Sequence, residues 1–509
     1  MRYLHSYFQI LKLPFVILLF ACFLGGISNL IVNNSYGIVS VVTGDGIYIV
    51  GEAMGMISRA VINYVPLLML IRLTTQREKG SVMVGAGLLG YITFLAATIF
   101  VPSAPLPAYA YSAMFSLGST TSSISYLAGA AHYPLLSGMV GIIIVTALTY
   151  AGCNSLDKNK NQMITQASMT HAVLKTFVYC LIAGVAFGFV WPYFILFVVR
   201  LVNYISSDLS SPLNMVLYGI ADRFLQTFHL SALIRQPLWY TAAGGSWTNI
   251  AGTTILGDAN IWTAQVASNA LTTSTGRFFA PYYVMNIFAM PAMIWAMYGV
   301  GTSPKQRGKM RVLCIMATLI SFISGTTYPL QIMLLLVCPV LFLFHMIYNG
   351  FLYGLFATIN VNLGYQTVDV HTMSAMPGTL PEFISYMNNP TLYRNLIIIA
   401  VIGIVSAVVY YIVTRLYFHY GASDLIMHDE AKKDAMLIIK GVGGQENIKN
   451  VEADITSLYI TVYDKNTVNE VVLKDIGTIQ IQKQDNTYGL YYGAKSYILR
   501  KNIKNSIRE

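Results

Sequence analysis

The chain has 509 residues, of which 55% are hydrophobic and 10% charged, with a mean hydropathy of +0.59; this excludes a water-soluble globule for most of its length. The formal net charge of +10 comes from Lys and Arg gathered in short clusters between apolar stretches, a pattern of membrane topology and not of nucleic-acid binding. Cys22, Cys153, Cys180, Cys314 and Cys338 lie in or beside apolar segments without paired spacing, so a metal centre or disulfide framework is not expected.

Apolar runs of bilayer-spanning length are predicted at 13–33, 48–71, 81–101, 134–152, 174–202, 282–300, 310–324, 330–358 and 394–418. The first run, Leu13 to Val32, has no outstanding small-residue cleavage pattern and reads as a first span. Between 203 and 280 the apolar pieces are interrupted by Gly, Pro, Ser and Asn, including Gly244, Gly245 and Gly252, which predicts re-entrant or broken helices. The expected fold is a polytopic α-helical membrane domain of about ten transmembrane helices plus re-entrant hairpins, followed by a small soluble α+β domain.

Basic clusters set the orientation. Arg72, Arg77 and Lys79 follow the second span, Lys158 and Lys160 the fourth, and Lys305, Arg307, Lys309 and Arg311 share a later loop, whereas 102–156 holds no Lys or Arg. The basic loops, and Arg415 at the end of the last span, are therefore expected in the cytoplasm.

Near residue 430 the composition turns to mixed charge with alternating stretches such as SLYITVY and VNEVVL. Domains are placed at 1–425 and 426–509, with HDEAKK as a linker or the start of a helix. A helix over 434–442, strands near 457–463 and 478–482 and a terminal helix near 493–506 are expected in the second domain.

The feature that points to function is the break Gly325-Thr326-Thr327-Tyr328-Pro329, followed directly by a long apolar run. A bilayer core has no water for freed N–H and C=O groups, so a broken helix persists only inside protein or beside a wet cavity, and in transporters such breaks hold substrate.

This break resembles the Gly-Ile-Thr-Glu-Pro signature of the enzyme IIC sugar permeases of the bacterial phosphotransferase system, glucose superfamily. NYVPLLMLIRLTTQREKGSVMVGAGLLGY at 63–91, GRFFAPYYVMNIFAMPAMIWAMY at 276–298 and the apolar run ending in His345 resemble further family segments. IIKGVGGQENIKNVEADITSLYITVYD at 438–464 is similar to the family's IIB domain. The resemblance implies a sugar taken up by IIC and phosphorylated by a IIB cysteine that is charged by a IIA partner protein. It also implies a homodimer in lipid, in a bacterial cytoplasmic membrane with the C-terminal domain in the cytoplasm; no metal or organic cofactor and no nucleic acid is implied.

Several residues depart from that pattern. Asp454 occupies the phosphocysteine position, and Ser457 and Tyr459 stand where arginines would hold the phosphoryl oxygens. In the membrane domain Tyr328 replaces the glutamate, Gln331 stands at a second acidic position, and Ser231 and Ala232 replace paired histidines in RFLQTFHLSALIRQPLW. Asp454 reads as an aspartyl-phosphate acceptor or as a turn aspartate. Arg223 reads as a substrate contact or as an interface arginine, and His229 as a displaced substitute for the histidines or a structural residue. Tyr328, Gln331 and Ser231 can hydrogen-bond a sugar without being bases near neutral pH, and Trp239, with Trp247 near it in sequence, can stack on a sugar face. His345 reads as a family position or as a histidine bonded to a backbone carbonyl, and Arg277 as a cytoplasmic or interface anchor. Two functions follow: a permease for a hexose, amino sugar or glucoside with coupled phosphorylation, or a non-phosphorylating facilitator or sugar sensor. Whether the chain is an enzyme stays open at this point.

Overall fold

The computed structural model describes residues 4–33, 45–75, 80–101, 106–112, 133–158, 165–272, 274–300, 304–365, 377–418, 424–476, 478 and 481–508. Among these, Lys12–Val32, Gly80–Ile99, Gln166–Ser207, Pro339–Ile359 and Pro390–Leu416 are long and apolar enough to cross a membrane, and the pair Gly46–Asn63 and Val65–Thr74 makes a sixth span if counted together. The chain is a multi-pass membrane protein.

Local chemistry explains where the helices depart from the expected spans. The run at 48–71 is two helices meeting at 49°, because Pro66 at the start of the second removes an N–H and clashes with the preceding turn. The run at 330–358 is likewise divided into Tyr328–Val337 and Pro339–Ile359, with Pro339 just after the break. The run at 174–202 belongs to one 42-residue helix, Gln166–Ser207. At 1.5 Å per residue it is about 63 Å long, twice a hydrocarbon core of about 30 Å, so it extends beyond the bilayer. In the run at 282–300, Val284–Ala289 is a π-helical segment, an insertion that π-bulges often bring to functional sites.

The region 203–280 holds the helices Pro212–Thr227, Ala232–Tyr240 and Asp258–Ala267. It also contains an antiparallel hairpin of β1 (Ser246–Thr248) and β2 (Thr254–Leu256). The helix Pro212–Thr227 crosses Pro339–Ile359 through glycines: a Cβ at Gly219 would lie 2.4 Å from the Tyr353 ring and 2.9 Å from the Gly350 Cα. Small residues at such crossings bring backbones together where no hydrophobic force acts between helices. Tyr353 is itself fixed, its hydroxyl donating to the Phe278 carbonyl at 2.7 Å.

The C-terminal residues form their own core of Ile438, Val451, Leu458, Ile460, Leu490, Leu499 and Ile503. Strands β3 (Ile448–Ala453), β4 (Ser457–Val462), β5 (Ile481–Gln484) and β6 (Thr487–Tyr491) make an antiparallel sheet ordered β3-β4-β6-β5. Helices Asp424–Gly441, Glu470–Asp475 and Ser496–Arg508 complete it. HDEAKK is helical and not a linker. The strands β3 and β6 were not expected: β3 carries a register irregularity between Ile448 and Asn450 and β6 contains Gly489, and both features obscure a period-two pattern.

Gly219→Ala should destabilise the purified protein by about 1–3 kcal/mol through overpacking, seen as a lower midpoint of thermal unfolding in detergent. Gly46→Ala, where an added Cβ meets nothing within 4 Å, should not lower that midpoint.

Candidate functional site

Two helix breaks meet in the membrane domain. The first is the turn after Pro212–Thr227, where His229 adopts a positive φ of 61°, His229 N–H donates to the Gln226 carbonyl at 3.0 Å and Leu230 N–H to that of Leu225 at 2.8 Å. The second is Gly325–Thr327, opened by Gly325 at φ 63°. Side chains satisfy the groups freed there: Asn286 Nδ2, from the π-helical segment, donates to the Gly325 carbonyl at 2.8 Å, and Tyr328 N–H donates to Thr326 Oγ1 at 3.3 Å. His229 Nδ1 and the Tyr328 hydroxyl, 3.3 Å apart, join the two breaks.

A cavity of about 240 Å³ opens at this junction, lined by Cys22, Ile62, Asn63, Leu136, Gln226, His229, Ser231, Ala232, Arg235, Ser324, Thr326 and Tyr328. Its wall mixes hydroxyl, amide, imidazole and guanidinium groups and carries no carboxylate. Such a wall can donate and accept hydrogen bonds to a polyhydroxylated ligand.

His229, Ser231 and Tyr328, expected as ligand contacts, line the cavity. Arg223, Gln331 and Trp239 are not on its wall but packed behind it, each at most 2% exposed. Arg223 Nη1 donates to Gln226 Oε1 at 3.1 Å and its guanidinium lies 4.4 Å over the Tyr282 ring, so it braces the wall through Gln226. Trp239 Nε1 donates to the Tyr218 hydroxyl at 2.8 Å, which holds the indole in an aromatic core with Phe279 and Tyr365. Trp247 lies on β1 of the hairpin.

Gln331 begins a buried chain. Its amide nitrogen donates to Thr327 Oγ1 at 3.1 Å and lies 3.4 Å from His345 Nε2. With Nε2 accepting, His345 Nδ1 is the donor to the Tyr410 hydroxyl at 3.0 Å. His345 thus bonds side chains, which does not match the reading of it as a histidine bonded to a backbone carbonyl. Arg277 donates to the Ser274 carbonyl and lies beside Asn362 in a separate polar pocket of about 350 Å³. Asn395, at the start of the helix Tyr393–Leu416, donates to the Asn362 carbonyl, so Arg277 stands at the opposite end of that helix from Arg415.

One element escaped sequence reasoning. Asp222 and Arg235 form a buried two-point ion pair, Nε to Oδ1 at 2.5 Å and Nη2 to Oδ2 at 3.0 Å, and the Tyr282 hydroxyl donates to Asp222 Oδ2 at 2.8 Å. A buried guanidinium is tolerable when a carboxylate meets it in this forked geometry. The available signal was an arginine within ALIRQPLW, an ionisable group in an apolar run. Thr326 lay within the break already singled out, whereas Gln226 carried no comparable signal.

In the C-terminal domain Asp454 sits in the turn between β3 and β4. Its Oδ1 accepts from the N–H groups of Thr456 at 2.8 Å and Ser457 at 2.6 Å, and its Oδ2 accepts from the Tyr459 hydroxyl at 3.0 Å. Burial, reinforced by the Asp454 charge, pushes the Tyr459 phenol well above the ordinary tyrosine range, which keeps it a donor. Both carboxylate oxygens are therefore engaged within the turn.

Fold and site together define a multi-pass membrane protein with a polar cavity where two helix breaks meet. No family model matches the chain. Over 298 residues it is 30% identical to the PTS system glucose-specific EIICBA component of Staphylococcus saprophyticus, an alignment spanning 57% of this chain and 42% of the relative. The chain thus matches less than half the length of that relative, and it resembles the IICB sugar permeases of the phosphotransferase system.

Asp222→Ala strands the Arg235 charge and should cost about 3–5 kcal/mol, whereas Asp222→Ala with Arg235→Leu should recover much of it; thermal unfolding of the detergent-purified protein measures both. Asp454→Ala leaves two turn amides unpaired and should destabilise the C-terminal domain by about 1–3 kcal/mol. Asp454→Asn should retain most of that stability, with hydrogen exchange over residues 453–459 as the readout.

Proposed function

We propose that this protein is a sugar permease of the IIC–IIB type whose own C-terminal domain does not carry a phosphoryl group, so that it admits or senses sugar without phosphorylating it. The observation that carries this reading is the state of Asp454. Its oxygens hold Thr456, Ser457 and Tyr459, whereas a phosphoryl acceptor needs an accessible nucleophilic oxygen and donors aimed at the incoming oxyanion.

The cavity supports the same conclusion from the sugar side. Gln226, His229, Ser231, Thr326 and Tyr328 offer hydrogen bonds to hydroxyl groups, and Leu136 and Ile62 offer an apolar face. Deprotonating the attacking sugar hydroxyl requires a positioned base. The carboxylate expected for that task is replaced by Tyr328, whose hydroxyl is paired with His229.

In this reading residues 1–425 form the IIC-like domain and 426–509 the IIB-like domain. The shorter apolar helices Gly138–Asn154, Met310–Ser324 and Tyr328–Val337 and the helical run 280–298 bring the six spans to a bundle of about ten membrane helices, not all of them full spans. The basic loops and the C-terminal domain lie in the cytoplasm of a bacterial cell, the membrane domain pairs as a homodimer, and a IIA protein is a residual partner at most.

The purified protein, incubated with the general phosphotransferase components and radiolabelled phosphoenolpyruvate, should take up no label, either as wild type or as Asp454→Ala. Glucose binding by calorimetry should persist in both and weaken about five-fold in Tyr328→Phe, the value of one hydrogen bond. Label that appears in wild type and vanishes in Asp454→Ala would restore coupled phosphorylation.

A further inference from the structure

The face of the C-terminal domain that carries Asp454 is only partly open to solvent. Tyr491, at the end of β6, is 2% exposed and belongs to the same apolar cluster as Cys338, Leu341 and Phe418 of the membrane half. Ile455, next to Asp454, and Ala494 and Tyr497 beyond β6 pack against that cluster. Lys12, at the start of the first long helix, places its ammonium 5.3 Å from the centre of the Tyr491 ring and is close enough to Asp454 for their charges to interact.

The short N-terminal helix Leu4–Ile10 ties this contact to the cavity, because it packs against both β6 and the helix Tyr328–Val337. That ten-residue helix begins at Tyr328 on the cavity wall and ends at Val337, next to Cys338 beneath the docked domain. Breaks at both ends, Gly325–Thr327 and Cys338–Pro339, separate it from its neighbours. It spans about 15 Å.

We infer that the Asp454 face is an interaction surface committed to the membrane half of the same chain, which makes the C-terminal domain a resident cap over the inner end of the helix Tyr328–Val337 and closes that face to a soluble phosphoryl donor. Shape and charge both fit the partner. The apolar rim of Ile455, Tyr491, Ala494 and Tyr497 meets an apolar floor, and the ammonium of Lys12 over the Tyr491 ring is near enough to the one acidic group of the turn for their charges to interact. An ammonium over a tyrosine ring adds a directional contact that bulk apolar packing lacks. The inference concerns the docking face and holds whichever ligand the cavity takes.

Cysteine accessibility tests it in the purified full-length chain. The native cysteines are buried, so reaction with a bulky polar maleimide reports on an introduced one. Ala494→Cys, in the docking face, should label far more slowly than Val471→Cys, which replaces a side chain 68% exposed on the helix Glu470–Asp475. Adding Lys12→Glu to Ala494→Cys should speed labelling about three-fold, the loss of a cation–π contact at an exposed site, while Lys12→Arg should leave it slow. Equal rates for Ala494→Cys and Val471→Cys would overturn the resident cap. A slow rate that Lys12→Glu leaves unchanged would overturn the assignment of Lys12 as its anchor.

Discussion

A chain buried in hydrocarbon must answer for every backbone N–H and C=O it frees from a helix, and the membrane half of this protein is organised around that constraint. Two of its irregularities, at 228–231 and 325–327, are placed against each other, where each can be served by side chains of another segment. Asn286 reaches the freed carbonyl of Gly325 from a π-helical segment whose extra residue turns that amide toward it. The same arrangement leaves a polar hollow at the junction, so the cavity is the direct consequence of where the broken helices are allowed to be. Glycine contacts between Pro212–Thr227 and Pro339–Ile359 let those two helices cross closely.

Charge is handled in a similar way. Arg223 and Arg235 face one carboxylate, Asp222, in a region from which solvent is excluded. The forked pair with Arg235 and the Tyr282 hydroxyl satisfy Asp222, while Arg223 relies on Gln226 and on the face of Tyr282. The cavity wall therefore inherits its rigidity from a buried polar layer one side chain deeper. In the proposed reading, Tyr328 in place of the family's carboxylate removes a base but leaves a hydrogen-bonding group, Asp454 in place of its thiol gives the C-terminal turn an internal cap, and both favour binding over group transfer.

Much of the site was legible because polar residues and Gly/Pro breaks are conspicuous in apolar sequence. Tyr328 stood out within the break and Ser231 and His229 through the family resemblance, and each lines the cavity. Gln331, Arg223 and Trp239 stood out equally and lie behind it, since periodicity and motif order locate a residue along a helix without saying which way the side chain turns once the helix is broken. The strands of the C-terminal sheet show a related limit: β4, with clean alternation, was expected, whereas β3 and β6, interrupted by a bulge and a glycine, were not.

The sequence by itself determined that this is a multi-pass membrane protein with a soluble α+β tail, because apolar runs, basic clusters and a change of composition are local properties that survive any arrangement of the helices. It also located the break at Gly325 to Pro329, since glycine and proline act through their own backbone. Only the tertiary structure decided that this break faces the turn at His229, that Asp222 meets Arg235 thirteen residues away, and that Tyr491 lies beneath Lys12. Those are contacts between segments, set by helix crossings and domain docking, and no local pattern in the chain encodes the distance between two side chains that only packing brings together.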